Sequence, residues 1–206
     1  LGMILANDKE DLEKYLPIKK PKYANEKLSS YSYMDFIGKN EEDDPYHYGY
    51  SLGKIISTYP NQEIASHTFS HYYSNEEGQT DEDFKSDMML SKKIIKDKLN
   101  FDAVSLVLPR NQINEKYIKI VSDLGFTSYR GGNKLFNNNL FSESLPIRIL
   151  RLIDIYLGIS KQTYKLSEVI EENIYNIKSS TFLRPYNPKI KFLENLKIST
   201  MKRKMS

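Results

Sequence analysis

Two of the protein's three histidines sit in one five-residue window, His67-Thr68-Phe69-Ser70-His71. Neutral imidazole is the commonest protein ligand for zinc and related divalent metals, so the pair suggests a catalytic metal site. A surface or structural pair is the plain alternative. The pair could also lie on one helix face, as in zinc proteases, but no Glu follows His67 to serve as their base. The window is entered from Glu63-Ile64-Ala65-Ser66, which reads as a short strand emptying into a loop. Loops held by a rigid scaffold are where catalytic groups are usually mounted.

A catalytic zinc usually keeps three protein ligands and one open position. Cysteine is absent, so any metal here takes His and carboxylate ligands, a donor set that suits zinc first and cobalt or manganese as well. The nearby carboxylates fit plainer roles. Asp8 reads as a helix cap, and Glu41-Glu42-Asp43-Asp44 as a solvated loop, so the third ligand is expected outside these 206 residues. Arg110, in Leu108-Pro109-Arg110-Asn111-Gln112, could hold a catalytic carboxylate by a bidentate pair or be a surface residue at a turn. Asn111 and Gln112 could donate to substrate or an oxyanion, although turns favour Asn in any case.

The elements that must position these groups follow from pattern. Leu1 to Ala6 reads as part of a buried strand, and Asp8 to Leu16 as a short helix ahead of Pro17. Residues 17–50 are loop-like and long enough to hide short elements. Ser51 to Tyr59 reads as a helix with Leu52, Ile55, Ile56 and Tyr59 on one face. Thr80 opens a long helix through about Leu99, with acids in its first turn and lysines in its last. Val104 to Leu108 is a strand candidate, Asn114 to Leu124 a helix closed by Gly125, and Phe126 to Tyr129 another strand before Arg130-Gly131-Gly132. Leu145 to Ile159, interrupted by Arg148, Arg151 and Asp154, reads as a packed amphipathic helix. Lys202 to Lys204 reads as its solvated counterpart near the end of the chain.

Alternating strands and helices signal parallel βα units, in which the carboxyl ends of strands carry the chemistry. The His pair, Arg110 and Arg130 each follow one of three successive strands. Three polar groups would therefore meet at one mouth.

Acids and bases nearly balance, leaving a formal net charge of +3 that is too weak and dispersed to argue for nucleic acid. No stretch approaches the roughly 18 apolar residues of a membrane span. Sixteen tyrosines make the chain aromatic-rich, and Pro45-Tyr46-His47-Tyr48-Gly49-Tyr50 could offer ring faces to sugars or simply pack beneath the long loop. Asn137-Asn138-Asn139 reads as a turn. Both ends read as cut, which leaves the compartment open between cytoplasm and cell envelope.

Tyr59-Pro60-Asn61-Gln62-Glu63-Ile64 followed by His67-Thr68-Phe69-Ser70-His71 resembles the polysaccharide deacetylase family (carbohydrate esterase family 4, the NodB-homology domain), whose hallmark is His-Ser/Thr-x-x-His after a strand bearing Glu-Ile-Gly/Ala. Leu108 to Gln112 resembles the Pro-Arg-Asn-Gln variant of that family's arginine motif, and Ser128-Tyr129-Arg130-Gly131 its next strand end. The likeness is specific from Asn61 to Gly131. It is weaker through Arg148 to Leu152 and Phe182 to Tyr186.

The resemblance implies an α/β fold, a distorted and incomplete (β/α) barrel truncated at both ends. Residues 1–135 would form its central part and residues 136–206 a helical and mixed continuation. It implies a metal-dependent hydrolase removing acetyl groups from N-acetylated sugars or a cell-surface polysaccharide. His67 and His71 would be ligands of a divalent metal, zinc first; Arg110 would orient the base, and Asn111, Gln112 and Arg130 would face substrate. The family's Thr-Phe-Asp-Asp-Gly motif, source of the base and third ligand, is absent, as is its late Leu-x-x-His motif. The chain as given is thus expected to hold about half an active site and to be inactive by itself. The alternatives are a non-catalytic glycan-binding or structural module of the same fold, and a metal protein unrelated to sugars.

Overall fold

The computed structural model describes residues 2–131, 145–158, 165–178 and 185–205. Leu1, Gly132, the Asn137-Asn138-Asn139 turn and Phe182 to Arg184 lie outside the described residues, as do the side chains of Arg148, Arg151 and Lys204.

Described in chain order, the helices are α1 (Lys9–Glu13), α2 (Tyr50–Thr58), α3 (Asp81–Leu99), α4 (Glu115–Asp123), α5 (Leu145–Leu157) and α6 (Lys191–Met205). The strands are β1 (Ser105–Leu106), β2 (Ser128–Gly131), β3 (Ile170–Glu171) and β4 (Ile174–Lys178). They form a mixed sheet in the order β1-β2-β4-β3, with β1, β2 and β4 parallel and β3 antiparallel to β4. Ser66 joins the β1 side by a parallel bridge to Leu106, its amide donating to Ser105 O and its carbonyl accepting from Val107 N, both at 2.9 Å. The protein is therefore α/β, and the His segment, β1 and β2 lie side by side and point the same way. The described strands stop short of closing a barrel.

Local chemistry explains the helices. Thr80 and Asp83 form a reciprocal capping box at the start of α3, which ends on left-handed Asn100. Asn114 caps α4 through Lys116 N, and Gly125, at φ +80°, ends it. Asp8 caps α1 by accepting from Asp11 N. The long 17–50 segment hides 3-10 turns at Glu26–Leu28 and Ser30–Phe36.

One expectation needs correction, and two helices present apolar residues that their neighbours leave exposed among the described residues. The opening residues are not a strand: Met3–Leu5 is a 3-10 turn, because Gly2 N and Met3 N donate to Thr68 O and Phe69 O of the His loop at 2.9 and 3.0 Å. On α2 the apolar face is left open, with Leu52, Ile55, Ile56 and Tyr59 between 39% and 62% exposed. This helix packs through Gly53 instead, where a Cβ would come within 3.1 Å of Leu5 and 3.3 Å of Leu99. Helix α5 buries Asp154 and Ile155, while Leu145, Ile149, Leu150 and Leu157 are exposed among the described residues.

The core lies between α3, α4 and the sheet. Phe84, Met88, Ile94, Leu106, Tyr117 and Val121 are all buried in it, with Phe69 and Tyr72 contributed by the His loop itself. The loop that carries the candidate chemistry is thus anchored in the core at both flanks.

A histidine pair and two arginines at adjacent strand ends

His67 and His71 lie beyond the end of the Ser66 bridge, their rings 5.1 Å apart and inclined at 68°. The Nδ1 of His67 lies 2.6 Å from the backbone carbonyl of Val107, which can only accept. Nδ1 therefore carries the proton and Nε2 keeps a free lone pair, the tautomer a metal ligand needs. Both rings are partly buried. Burial holds the His67 imidazole below the usual histidine range, opposed by its bond to Val107 and helped by the charge of Arg130. His71 is pushed down to about 4, by burial first and then by His67 and the Arg110 guanidinium.

That shift has a defined consequence for the metal-free protein. In the unfolded chain His71 titrates near 6.5, so between about pH 4 and 6.5 the unfolded state binds more protons. This residue's contribution to stability is complete above pH 6.5 and is lost as pH falls toward 4. An NMR titration of the chelator-treated protein should find the His71 ring still neutral at pH 5.5. A midpoint near 6.5 would mean the ring is solvated and not packed as described.

The other strand ends bring their arginines to the same place. Arg110 Cζ sits 4.5 Å from the centroid of the Tyr73 ring, and the edge of His71 packs on that ring at 5.0 Å and 83°. Arg130 Nη2 donates to Asn111 Oδ1 at 2.7 Å, joining the end of β2 to the loop after β1. His67 and His71 are thus half-buried against the buried Tyr73, with Arg110, Asn111 and Arg130 exposed at the neighbouring strand ends. Gln112 stands apart. It is buried, its side-chain oxygen accepts from Asn75 N at 3.3 Å and its nitrogen donates to Glu76 at 2.9 Å. Both ends of that amide brace the loop behind His71, which corrects the expectation that it faces substrate.

Backbone strain is concentrated here. Thr68 (φ +64°), His71 (φ +59°), Arg110 (φ +52°) and Asn111 (φ +51°) are all left-handed. For a β-branched residue such as Thr68 this is a clear outlier, and such residues persist only where their surroundings over-determine them. The surroundings do so. Thr68 Oγ1 accepts from Tyr72 N at 2.8 Å, Ser66 Oγ accepts from Thr68 N at 3.1 Å, and Ser30 donates to Ser70 O at 2.5 Å. Tyr23 accepts from Tyr73 N at 2.9 Å. Tyr23, Ser30 and Tyr73 are part of the site's support, as is Ser91, whose Oγ pairs with Ser66 Oγ, and no sequence signal singled them out.

Elsewhere, His47 is a loop residue bonded through Nδ1 to Asp44 at 2.8 Å. Tyr48 is buried and donates to Gly38 O at 3.0 Å, whereas Tyr46 is exposed. Among the described residues no group of three His, Cys, Asp or Glu could hold a metal, and no helix is long and apolar enough to cross a membrane.

Compared with known proteins, residues 52–129 match the polysaccharide deacetylase family model. The match is consistent with a partial domain of that family. It runs from α2 through the His pair, α3, the arginine loop and α4 into β2, and so contains every strand end just described except Arg130, which follows its last residue directly. No curated protein and no solved structure matches the chain. The matched domain supports a deacetylase-type function.

Proposed function

We propose that the His67/His71 surface is the metal-binding half of a sugar deacetylase centre, acting on N-acetyl groups of a polysaccharide or smaller glycan. The observation that carries this reading is the orientation of the His67 ring. Its Nδ1–H is committed to Val107 O, inside the family-matched segment, with a second neutral imidazole beside it. Two nitrogen donors of this kind fit a zinc, cobalt or manganese ion in part. A bound divalent cation would polarise the acetamide carbonyl and lower the pKa of its water.

This chain's own residues do the rest of what the geometry allows. His67 and His71 offer lone pairs without competition from protons at neutral pH. Arg110, steadied over Tyr73, presents a guanidinium that can hold a carboxylate base in place. Arg130, held by Asn111, offers donors to a sugar hydroxyl or to the oxygen of a tetrahedral intermediate. In this reading the base and the third ligand are carboxylates that the described residues do not supply.

Because only two ligands come from the described residues, a glycan-binding module without catalysis is the second reading. Acetate release from N-acetylglucosamine oligomers by the protein isolated from its native cell separates the two. The deacetylase reading expects release that stops with a chelator and returns with zinc. Glycan binding indifferent to chelator, with no acetate formed, would establish the second reading.

A further inference from the structure

The strongest feature left unused is a polar ridge on α3. Asp83, Asp87 and Ser91 recur every four residues, so they share one face of the helix, and all three are buried. Each grips the His segment at a different point. Asp83 accepts from the Tyr72 hydroxyl, and Ser91 Oγ pairs with Ser66 Oγ at 2.7 Å. Asp87 stands between them, 1% exposed. Its Oδ1 accepts from Phe69 N at 2.7 Å, and its Oδ2 accepts from Ser70 N at 3.1 Å and from the Ser70 hydroxyl at 2.5 Å.

The placement of these bonds matters more than their number. Phe69 and Ser70 are the residues between left-handed Thr68 and left-handed His71. The twist at Thr68 turns two successive amides toward one point, the concave arrangement in which backbone N–H groups hold an anion. Asp87 is that anion. With an apolar residue there, two buried amides would lack partners, and buried backbone donors are nearly always paired. The loop would then have to open toward water and carry His71 away from His67.

We propose that Asp87 is the positioning residue of the metal site: it holds the 68–71 turn in the strained form that brings the two imidazoles together. This rests on the metal reading above. Loss of an outer partner of metal-binding residues typically weakens metal binding about 10- to 100-fold. Asp87 acts through the backbone rather than through a ligand's ring.

The test is a zinc titration against a chromophoric chelator, with the cobalt(II) absorption spectrum recorded for the same samples. Wild type, Asp87→Asn, Ser70→Ala and His67→Ala are compared, each after circular dichroism has shown it folded. Asp87→Asn keeps one carbonyl acceptor and loses the other. It should weaken zinc about 10- to 100-fold and alter the cobalt spectrum, although both imidazoles remain. Ser70→Ala removes one hydrogen bond and leaves the carboxylate and both amides, so it should cost roughly three- to tenfold, and it serves as the decisive variant if Asp87→Asn does not fold. Folded Asp87→Asn, or failing it Ser70→Ala, binding zinc as wild type does would overturn the proposal while His67→Ala still abolished binding. Wild type that binds no zinc, or binds it as well without His67, would instead overturn the metal reading and this proposal with it.

Discussion

Replacing His71 with glycine is expected to abolish zinc binding while leaving stability within about 1 kcal/mol of wild type, which separates function from fold. The loss of binding should exceed the roughly 100-fold that marks the upper end for losing an outer partner, because a ligand itself is removed. Stability has three opposing contributions. His71 sits at φ +59°, where a residue with a Cβ is strained by about 1–2 kcal/mol, and glycine relieves this. Against it stand the ring contacts with His67 and Tyr73, worth about 0.5–1.5 kcal/mol for an aromatic pair. Glycine also loses roughly 0.5–1 kcal/mol through the freedom of its unfolded chain. The losses outweigh the relief of strain by only about 1 kcal/mol. His71→Ala loses the same rings and keeps the strain, so it should be the less stable of the two. Thermal melts of the metal-free proteins decide the order, and an alanine variant as stable as the glycine one would show that the backbone at 71 carries no strain.

The placement of the His pair, Arg110 and Arg130 after successive strands was legible because position after a strand is written locally, and the Ser66 bridge, β1 and β2 do lie in adjacent parallel register. Helices α3 and α4 were legible through their caps, Thr80, Asn114 and Gly125. Asp87 was invisible for the same reason that α3 was clear. An acid in a helix rich in Asp, Glu and Lys reads as part of a solvated face, and only the turn folded over it shows two amides aimed at one carboxylate. The left-handed Thr68 was equally hidden, since nothing about a threonine announces a conformation it disfavours. Gln112 misled because Asn and Gln after a strand suit an oxyanion donor and a buried brace equally well. The opening residues misled because Gly2 and Met3 spend their amides on the His loop, a long-range contact that no pattern within six residues could show.

The largest stability loss is expected from Phe84→Ala. Phe84 has no exposed surface, lies flat on Tyr117 with ring centroids 4.1 Å apart and planes inclined by 8°, and takes the edge of Tyr72 at 5.3 Å. Truncating a fully buried phenylalanine typically costs about 3–5 kcal/mol, a large part of the roughly 5–15 kcal/mol that holds a domain folded. A drop in the urea midpoint with unchanged slope would report it, and Phe84→Leu should recover more than half. The position ties stability to the site. Tyr72 directly follows His71 and donates its amide to Thr68 Oγ1, so the Phe84 ring supports the same turn that Asp87 holds from below. Tyr117 brings α4 into the same stack, and the two substitutions should not add. Phe84→Ala combined with Tyr117→Ala should cost about 0.5–3 kcal/mol less than the sum of the single losses, as neighbours sharing a contact do. Strict additivity would mean that α3, α4 and the His loop do not pack as one unit, and that the strained turn draws its rigidity from hydrogen bonds alone.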